Sequence, residues 1–146
     1  MHRSAASHFV IRRRIRFGDC DPGGVIYTPR LSYLIVEAVL DFLASRLGGP
    51  AERRIIDMGI FPPARSLSIE FLIPLAWDDE IEIHVNVAEM RSSAIVFSVV
   101  GFNAAVETAF SAQLTQVCVS SETRRPTPIP DALRKALGGN ARDLSA

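Results

Sequence analysis

The chain is poor in the residues that mark several common classes of protein. Its 146 residues include two cysteines, Cys20 and Cys118, whose spacing fits neither a metal-binding motif nor a disulfide framework. Lys135 is the one lysine, and 16 basic residues balance 16 acidic ones, so the charge does not indicate a nucleic-acid-binding protein. We therefore expect a protein of the reducing cytoplasm, with no metal and no redox cofactor.

The chain also lacks a long uninterrupted apolar segment. Glu37 and Asp41 interrupt its most apolar stretch, which is therefore too short to predict a membrane span. The opening residues, MHRSAASHF, contain no apolar core of a secretory signal. Since 48% of the residues are hydrophobic and 22% are charged, the composition is typical of a globular protein, and we expect one domain over residues 1–146.

The most informative stretch runs from Phe17 to Leu47. Its first part, FGDCDPGGVIYT, is rich in turn-forming residues. The second part predicts a helix that begins at Pro29, with Thr28 as N-cap, and ends before Gly48. Apolar residues surround most of this helix, Tyr33, Val36 and Leu40 among them. The polar residues form one narrow stripe: Arg30, Glu37, Asp41 and Ser45. We therefore expect a buried central helix.

The beginning of this helix is a candidate catalytic centre. The first amides of a helix lack intrahelical partners and Pro29 has no N–H, so the amide of Thr28 and those just after Pro29 are expected to be free donors. Such donors stabilise the oxyanion of acyl transfer. Asp21, seven residues before Thr28, could act there as nucleophile or general base. From the Asp-Pro-Gly turn alone, a local Asx turn is the simpler interpretation of Asp21, and Asp19 is interpreted as structural.

The motif FGDCDPGG followed by a buried helix resembles the 4-hydroxybenzoyl-CoA thioesterase family of hot-dog-fold proteins. The resemblance covers roughly Arg12 to Val119. It implies an α+β fold in which a five-stranded antiparallel sheet wraps around the helix. It also implies acyl-CoA hydrolysis by a homo-oligomer, a dimer or a tetramer, with no cofactor. The family's catalytic aspartate falls on Asp21 and its oxyanion donor on the backbone N–H of Thr28, with Gly24 allowing close approach of the substrate.

Other residues are assigned to the substrate through the same resemblance. The turn departs from many relatives because no histidine follows Gly24, which favours an aromatic acyl group. Tyr27 and the apolar pair Phe61 and Pro62 are then candidate acyl contacts, although a plain crossover loop explains the last two equally well. Contacts to the CoA phosphates are implied for Arg91, Ser92 and Ser93, which a polar hairpin would also explain.

Alternating apolar residues predict the strands of the sheet. The predicted strands are His8–Phe17, Ser66–Ile73, Glu80–Val87, Ile95–Phe102 and Thr108–Val119. Phe17 is expected to face inward, whereas Arg13 breaks the inward phase of the first strand. A change of phase predicts a β-bulge near Gln116. We expect a core over about 8–120 and a C-terminal tail over 121–146 that includes a short helix, Asp131–Leu137.

The functional hypothesis is therefore an acyl-CoA thioesterase, with an aromatic acyl group as the first choice. One alternative is a thioesterase for short- or medium-chain fatty acyl-CoA. Another is an acyl-CoA-binding module without catalysis, against which the presence of Asp21 argues. A hydratase is less favoured, because that chemistry would need a histidine near Asp21. Cys20 is interpreted as a packed residue rather than a nucleophile, for the same reason.

Overall fold

The computed structural model describes residues 9–138, so His8 and residues 139–146 of the predicted tail lie outside the described residues. The helices are α1 (Thr28–Leu47), α2 (Ala51–Asp57) and α3 (Asp131–Ala136). The strands are β1 (Phe9–Arg14), β2 (Ile60–Phe61), β3 (Ala64–Phe71), β4 (Glu80–Met90), β5 (Ala94–Phe102), β6 (Thr108–Val117) and β7 (Val119–Ser120). The long helix, the five long strands and the terminal helix are all found where the sequence predicted them, within a few residues.

Five strands form one antiparallel sheet in the order β1-β4-β5-β6-β3, as expected. Within it, β1 pairs with β4 so that Phe9 lies opposite Val85 and Arg14 opposite Glu80. A second sheet, which the sequence did not predict, pairs the short strands β2 and β7. Strands of two residues carry too little periodicity to be recognised from a sequence.

The described chain divides into two compact units. The first contains residues 9–39, 68–86 and 98–112, and the second contains residues 40–67, 87–97 and 113–138. Buried side chains of the first unit include Leu31, Ile35, Ile81, Ile83, Val85 and Phe110. Those of the second include Phe42, Leu43, Ile55, Phe97, Leu114 and Leu133. The single domain expected over residues 1–146 stays a prediction.

Helix α1 is buried along one broad face. It begins at Thr28 and ends at Leu47, where Gly48 adopts a left-handed φ of +73° and its N–H bonds to the carbonyl of Ala44. The prediction that the helix is buried nearly all round was wrong for this chain. Tyr33, which was predicted among the apolar surroundings, is 61% exposed with the guanidinium of Arg30 over its ring, so the exposed stripe is wider than the sequence pattern indicated.

The alternation of the strands is confirmed in β4, where Ile81, Ile83 and Val85 are buried. The first strand is shorter than predicted. Phe17 begins a 3₁₀ turn, Phe17–Asp19, and is 73% exposed rather than inward-facing. Strand β6 stops at Val117 and Val119 belongs to β7, so the change of phase near Gln116 marks the end of a strand.

Backbone hydrogen bonds fix the turn that leads into α1. Within the turn, Asp21 donates from its N–H to the carbonyl of Val25, and Gly24 donates to the carbonyl of Asp21, both at 2.9 Å. The N–H of Ile26 donates to the carbonyl of Leu75 at 2.8 Å, and the N–H of Trp77 donates to the carbonyl of Gly24 at 3.2 Å. The turn is therefore held against the segment that precedes β4.

The carboxylate of Asp19 is the most heavily bonded side chain of this region, and it is 3% exposed. It accepts hydrogen bonds from the backbone N–H of Arg16 at 2.8 Å, from Nε of Arg30 at 2.8 Å and from both terminal nitrogens of Arg13 at 3.3 and 3.4 Å. Burial raises the pKa of this carboxyl, but the Arg16 amide and the two guanidinium groups outweigh it and hold the pKa below its usual 3.8. The structural role predicted for Asp19 agrees with these contacts.

We predict that Gly101→Ala destabilises the protein. A Cβ built on Gly101 of β5 would overlap Cε2 of the buried Phe110 ring, so the ring would have to move. Overpacking of this kind costs about 1–3 kcal/mol in free energy of unfolding. Chemical denaturation measures it, with Gly18→Ala as the matched control because a Cβ there meets nothing within 4 Å. Equal stability of the two variants would contradict the packing described.

We also predict that Asp19→Asn removes stability in a pH-dependent way. Because the pKa of Asp19 is lower in the folded protein, its contribution is complete above the unfolded pKa and is lost as the pH falls through the folded pKa. Breaking a buried ion pair costs about 3–5 kcal/mol. We expect this difference from wild type near pH 7 and its progressive loss as the pH falls from about 3.8 through the lower folded pKa, in denaturant titrations.

The control for that experiment is Asp41→Asn, which changes the same charge at an exposed position. It should be close to wild type across the pH range. A stability difference for Asp19→Asn that stays constant from neutral to strongly acidic pH would contradict a paired, low-pKa carboxylate.

Candidate active site

The amide of Thr28 is the free donor at the beginning of α1. Its N–H makes no hydrogen bond within residues 9–138. The expectation that the amides just after Pro29 are also free was wrong, since the N–H groups of Arg30 and Leu31 both donate to the carbonyl of Tyr27, at 2.8 and 3.3 Å. One backbone donor is therefore left at the positive end of the helix dipole.

Thr28 lines an apolar cavity of about 400 Å³ in the first unit. Its other lining residues carry apolar side chains: Val25, Ile26, Leu31, Phe71, Leu72, Ile73, Pro74, Leu75, Ala109 and Phe110. Thr28 supplies the one polar side chain of this wall. A cavity of this size and character suits an apolar ligand group with a single polar atom at Thr28.

Asp21 carries a half-exposed carboxylate on the turn before the helix. Its Oδ1 accepts a hydrogen bond from the N–H of Gly23 at 2.8 Å, which is the Asx turn that the Asp-Pro-Gly sequence indicates. Its Oδ2 has no hydrogen-bond partner among the described residues. The turn therefore orients the carboxylate by one oxygen and leaves the other available for chemistry.

A second cavity, of about 330 Å³, contains Asp21 and Gly24. Gly24 has a φ of +84°, a left-handed conformation that favours glycine at this point of the turn. The remaining lining residues are Phe17, Cys20, Pro22 and Trp77, and the rings of Phe17 and Trp77 meet edge to face at 5.4 Å. Gly24 lines the Asp21 cavity and the next residue, Val25, lines the Thr28 cavity, so consecutive residues form part of both walls.

Three predicted acyl contacts do not line either cavity. Tyr27 is 56% exposed and contributes its backbone to the turn, where its N–H donates to the carbonyl of Asp19 at 2.9 Å. Phe61 is a half-buried residue of β2 in the second unit, with the guanidinium of Arg124 over its ring at 5.6 Å. Pro62 follows it and is half-buried. The role of these three side chains stays a prediction.

The loop Arg91–Ser93 belongs to the second unit and is anchored by its carbonyls. Those of Arg91, Ser92 and Ser93 accept hydrogen bonds, in turn, from Nη2 of Arg134 at 2.6 Å, the N–H of Ile129 at 2.9 Å and the N–H of Cys118 at 2.8 Å. The side chain of Arg91 is half-exposed and forks onto Glu89 at 2.9 and 3.1 Å. A phosphate at Arg91 would therefore have to compete with Glu89.

The cysteines have unreactive surroundings. Burial and the charges of Asp19, Asp21 and Asp79 raise the pKa of Cys20, and burial raises the pKa of Cys118 to about 11. Within residues 9–138, no cluster of three or more His, Cys, Asp or Glu side chains could hold a metal ion. In the same part of the chain, no helix is long and apolar enough to cross a membrane.

Sequence reasoning missed several residues of this region. Phe71 and Phe110 line the Thr28 cavity, and Phe17 and Trp77 line the Asp21 cavity. They lie far apart in the chain, so no local pattern joins them. The sequence did contain one signal. Arg13 occupies a position of β1 where the alternation predicts an inward apolar residue, and its guanidinium pairs with Asp19.

Comparisons with known proteins identify a family and several relatives of this chain. Residues 15–137 match the family model of the thioesterase-like superfamily. The chain is 28% identical over 122 residues to the 1,4-dihydroxy-2-naphthoyl-CoA hydrolase of Thermosynechococcus vestitus, covering 84% of this chain and 83% of the relative. It is 26% identical over 92 residues to the 4-hydroxybenzoyl-CoA thioesterase of a Pseudomonas species, covering 62% and 65%.

A solved structure has the same fold. The 1,4-dihydroxy-2-naphthoyl-CoA thioesterase of Synechocystis superposes with a TM-score of 0.81 at 22% identity, over 90% of this chain and 96% of that one. The match confirms the predicted α+β hot-dog architecture. The family and its named relatives confirm the enzyme class, a thioester hydrolase. The chain therefore belongs to the thioesterase-like superfamily.

Proposed function

We propose that the protein hydrolyses acyl-CoA thioesters at the beginning of α1. The free amide of Thr28, a residue that lines an apolar cavity, carries this proposal. The thioester carbonyl oxygen accepts the Thr28 N–H, and the negative charge that develops on this oxygen is stabilised by the amide and the helix dipole. The acyl group then occupies the apolar cavity, and the sulfur and the rest of CoA leave toward solvent.

The carboxylate of Asp21 supplies the second half of the chemistry. Its free Oδ2 either attacks the carbonyl carbon, expelling the CoA thiolate and leaving a mixed anhydride that water hydrolyses, or takes a proton from the attacking water. The products in both cases are the free acid and CoA. The Asx turn supports either role, because the hydrogen bond from Gly23 restricts the rotation of the carboxylate before substrate arrives.

An aromatic acyl group is the proposed substrate class. Two relatives are named for aromatic acyl-CoA substrates, 1,4-dihydroxy-2-naphthoyl-CoA and 4-hydroxybenzoyl-CoA. The cavity at Thr28 has two aromatic walls, Phe71 and Phe110, against which a flat ring can pack. We therefore assign the acyl contact to these two residues rather than to Tyr27 and Phe61, which lie outside that wall.

We propose further that the protein works as a homo-oligomer, a dimer or a tetramer. Strand β3 lies at an edge of the sheet, with Phe71 53% exposed, and the next residue, Leu72, is equally exposed. The unpaired backbone of an edge strand is a template for pairing with a second copy, and such pairing would cover these two exposed apolar side chains. The CoA phosphates remain assigned to Arg91, Ser92 and Ser93, whose polar side chains line an anchored loop.

The competing hypothesis is a module that binds acyl-CoA without hydrolysing it. Such a module would need the apolar cavity and the phosphate contacts but not the free oxygen of Asp21. The two hypotheses therefore differ in what a change at Asp21 does to turnover, as opposed to binding.

We predict that Asp21→Asn lowers kcat by about 10²–10⁴-fold, the contribution typical of a positioned base, with little change in KM. The measurement is release of CoA thiol from a panel of benzoyl-, naphthoyl- and octanoyl-CoA. Asp78→Asn, an exposed residue of the same unit, removes the same charge and should keep wild-type kcat.

Full turnover by Asp21→Asn would contradict the mechanism. Tight binding of CoA esters with no turnover by the wild type would support the binding module instead. Single turnover in H₂¹⁸O, followed by mass spectrometry of the Asp21 peptide, identifies a nucleophile by the label in that peptide.

We predict that Phe71→Ala lowers the preference for benzoyl-CoA over octanoyl-CoA, measured as the ratio of the two kcat/KM values, by about 2- to 10-fold. The reason is the lost ring packing, worth about 0.5–1.5 kcal/mol. Tyr27→Ala is the matched control, since Tyr27 is 56% exposed and lies outside the cavity wall. If Tyr27→Ala changes the ratio and Phe71→Ala does not, the acyl group lies elsewhere.

A further inference from the structure

We propose that Asp19 and Arg30 are positioning residues for the amide of Thr28, an inference that rests on the thioesterase activity proposed above. The observation behind it is that Asp19 holds the chain on both sides of Thr28. Its backbone carbonyl accepts the N–H of Tyr27 at 2.9 Å, and its Oδ1 accepts Nε of Arg30 at 2.8 Å. The peptide that carries the free N–H lies between these two anchors.

Asp19 can act as an anchor because it is itself fixed. Its Oδ2 accepts the N–H of Arg16 at 2.8 Å, and the fork of Arg13 closes over the carboxylate from β1. The Asp19 side chain is only 3% exposed, so it cannot turn outward to be solvated by water. A buried acceptor with four nitrogen donors resists displacement far more than a surface ion pair does.

The charges of this cluster also suit an oxyanion. Two guanidinium groups, Arg13 and Arg30, face one carboxylate, so the cluster has one net positive charge. The negative charge of Asp19 alone would oppose an oxyanion at Thr28, and we assign the compensation of that charge to Arg30, which lies on the same helix as Thr28. Arg30 is the closer of the two along the chain, since it lies in the first turn of α1.

The two arginines offer a matched pair of variants. Each contacts the same carboxylate and each side chain is partly buried, at 20% exposure for Arg13 and 35% for Arg30. Arg13 belongs to β1, whereas Arg30 belongs to the helix that carries Thr28. If the cluster is only structural, loss of either arginine lowers stability and leaves kcat unchanged. If Arg30 positions the Thr28 amide, loss of Arg30 lowers kcat more than loss of Arg13 does.

The experiment compares Arg30→Gln with Arg13→Gln. We expect similar losses of melting temperature from both. We expect Arg30→Gln to lower kcat by about 10-fold with KM within about 2-fold of wild type, because a misplaced donor weakens the transition state more than the bound substrate. Arg13→Gln should keep kcat within about 2-fold, and Arg30→Lys, which keeps the charge and one donor, should recover part of the loss.

A second readout does not depend on turnover. The ¹⁵N–¹H resonance of the Thr28 amide should move in Arg30→Gln and stay in place in Arg13→Gln. Equal kcat values for the two variants would overturn the inference. So would a Thr28 resonance that moves in both variants, or in neither. If the wild type hydrolyses no thioester, the proposed function fails, and the Thr28 resonance still decides whether Arg30 positions that amide.

Discussion

The buried carboxylate of Asp19 connects the parts from which the candidate site is built. Its hydrogen bonds join Arg13 of β1, the backbone of Arg16 before the 3₁₀ turn and Arg30 of the first turn of α1. A buried carboxylate is costly unless every lone pair is used, and here guanidinium and amide donors satisfy it. The strand, the turn and the helix are therefore held in one arrangement before any substrate binds.

Two features of the turn that follows Asp19 complement each other in the proposed chemistry. The Asx turn of Asp21 is compatible with its proposed catalytic role, because Oδ1 is used by Gly23 while Oδ2 has no partner among the described residues. Similarly, Pro29 removes one donor and Tyr27 accepts two more, so a single free amide is left, that of Thr28, a residue that lines the apolar cavity. The proposed chemistry needs one directed oxygen and one directed amide, and local turn geometry provides both.

Much of the fold followed from periodicity, because α1, β4 and β5 each bury a regular set of apolar side chains. Errors arose where tertiary contacts override the local pattern. Phe17 continues the alternation of β1 but packs against Trp77 at the surface, and Tyr33 lies on the exposed side of α1. The motif around Asp21 was visible in sequence, whereas the walls of the cavities come from segments brought together by the fold. That long-range assembly has no signature in a single sequence.

The central claim is that the Thr28 amide binds the carbonyl oxygen of a thioester. The most direct measurement is a ¹⁵N–¹H titration of the protein with a phenacyl-CoA thioether, which keeps a carbonyl group and has no thioester bond to hydrolyse. The account predicts a downfield shift of the Thr28 amide proton that saturates with ligand, as expected for a new hydrogen bond. Saturation of binding with the Thr28 resonance unmoved would contradict it.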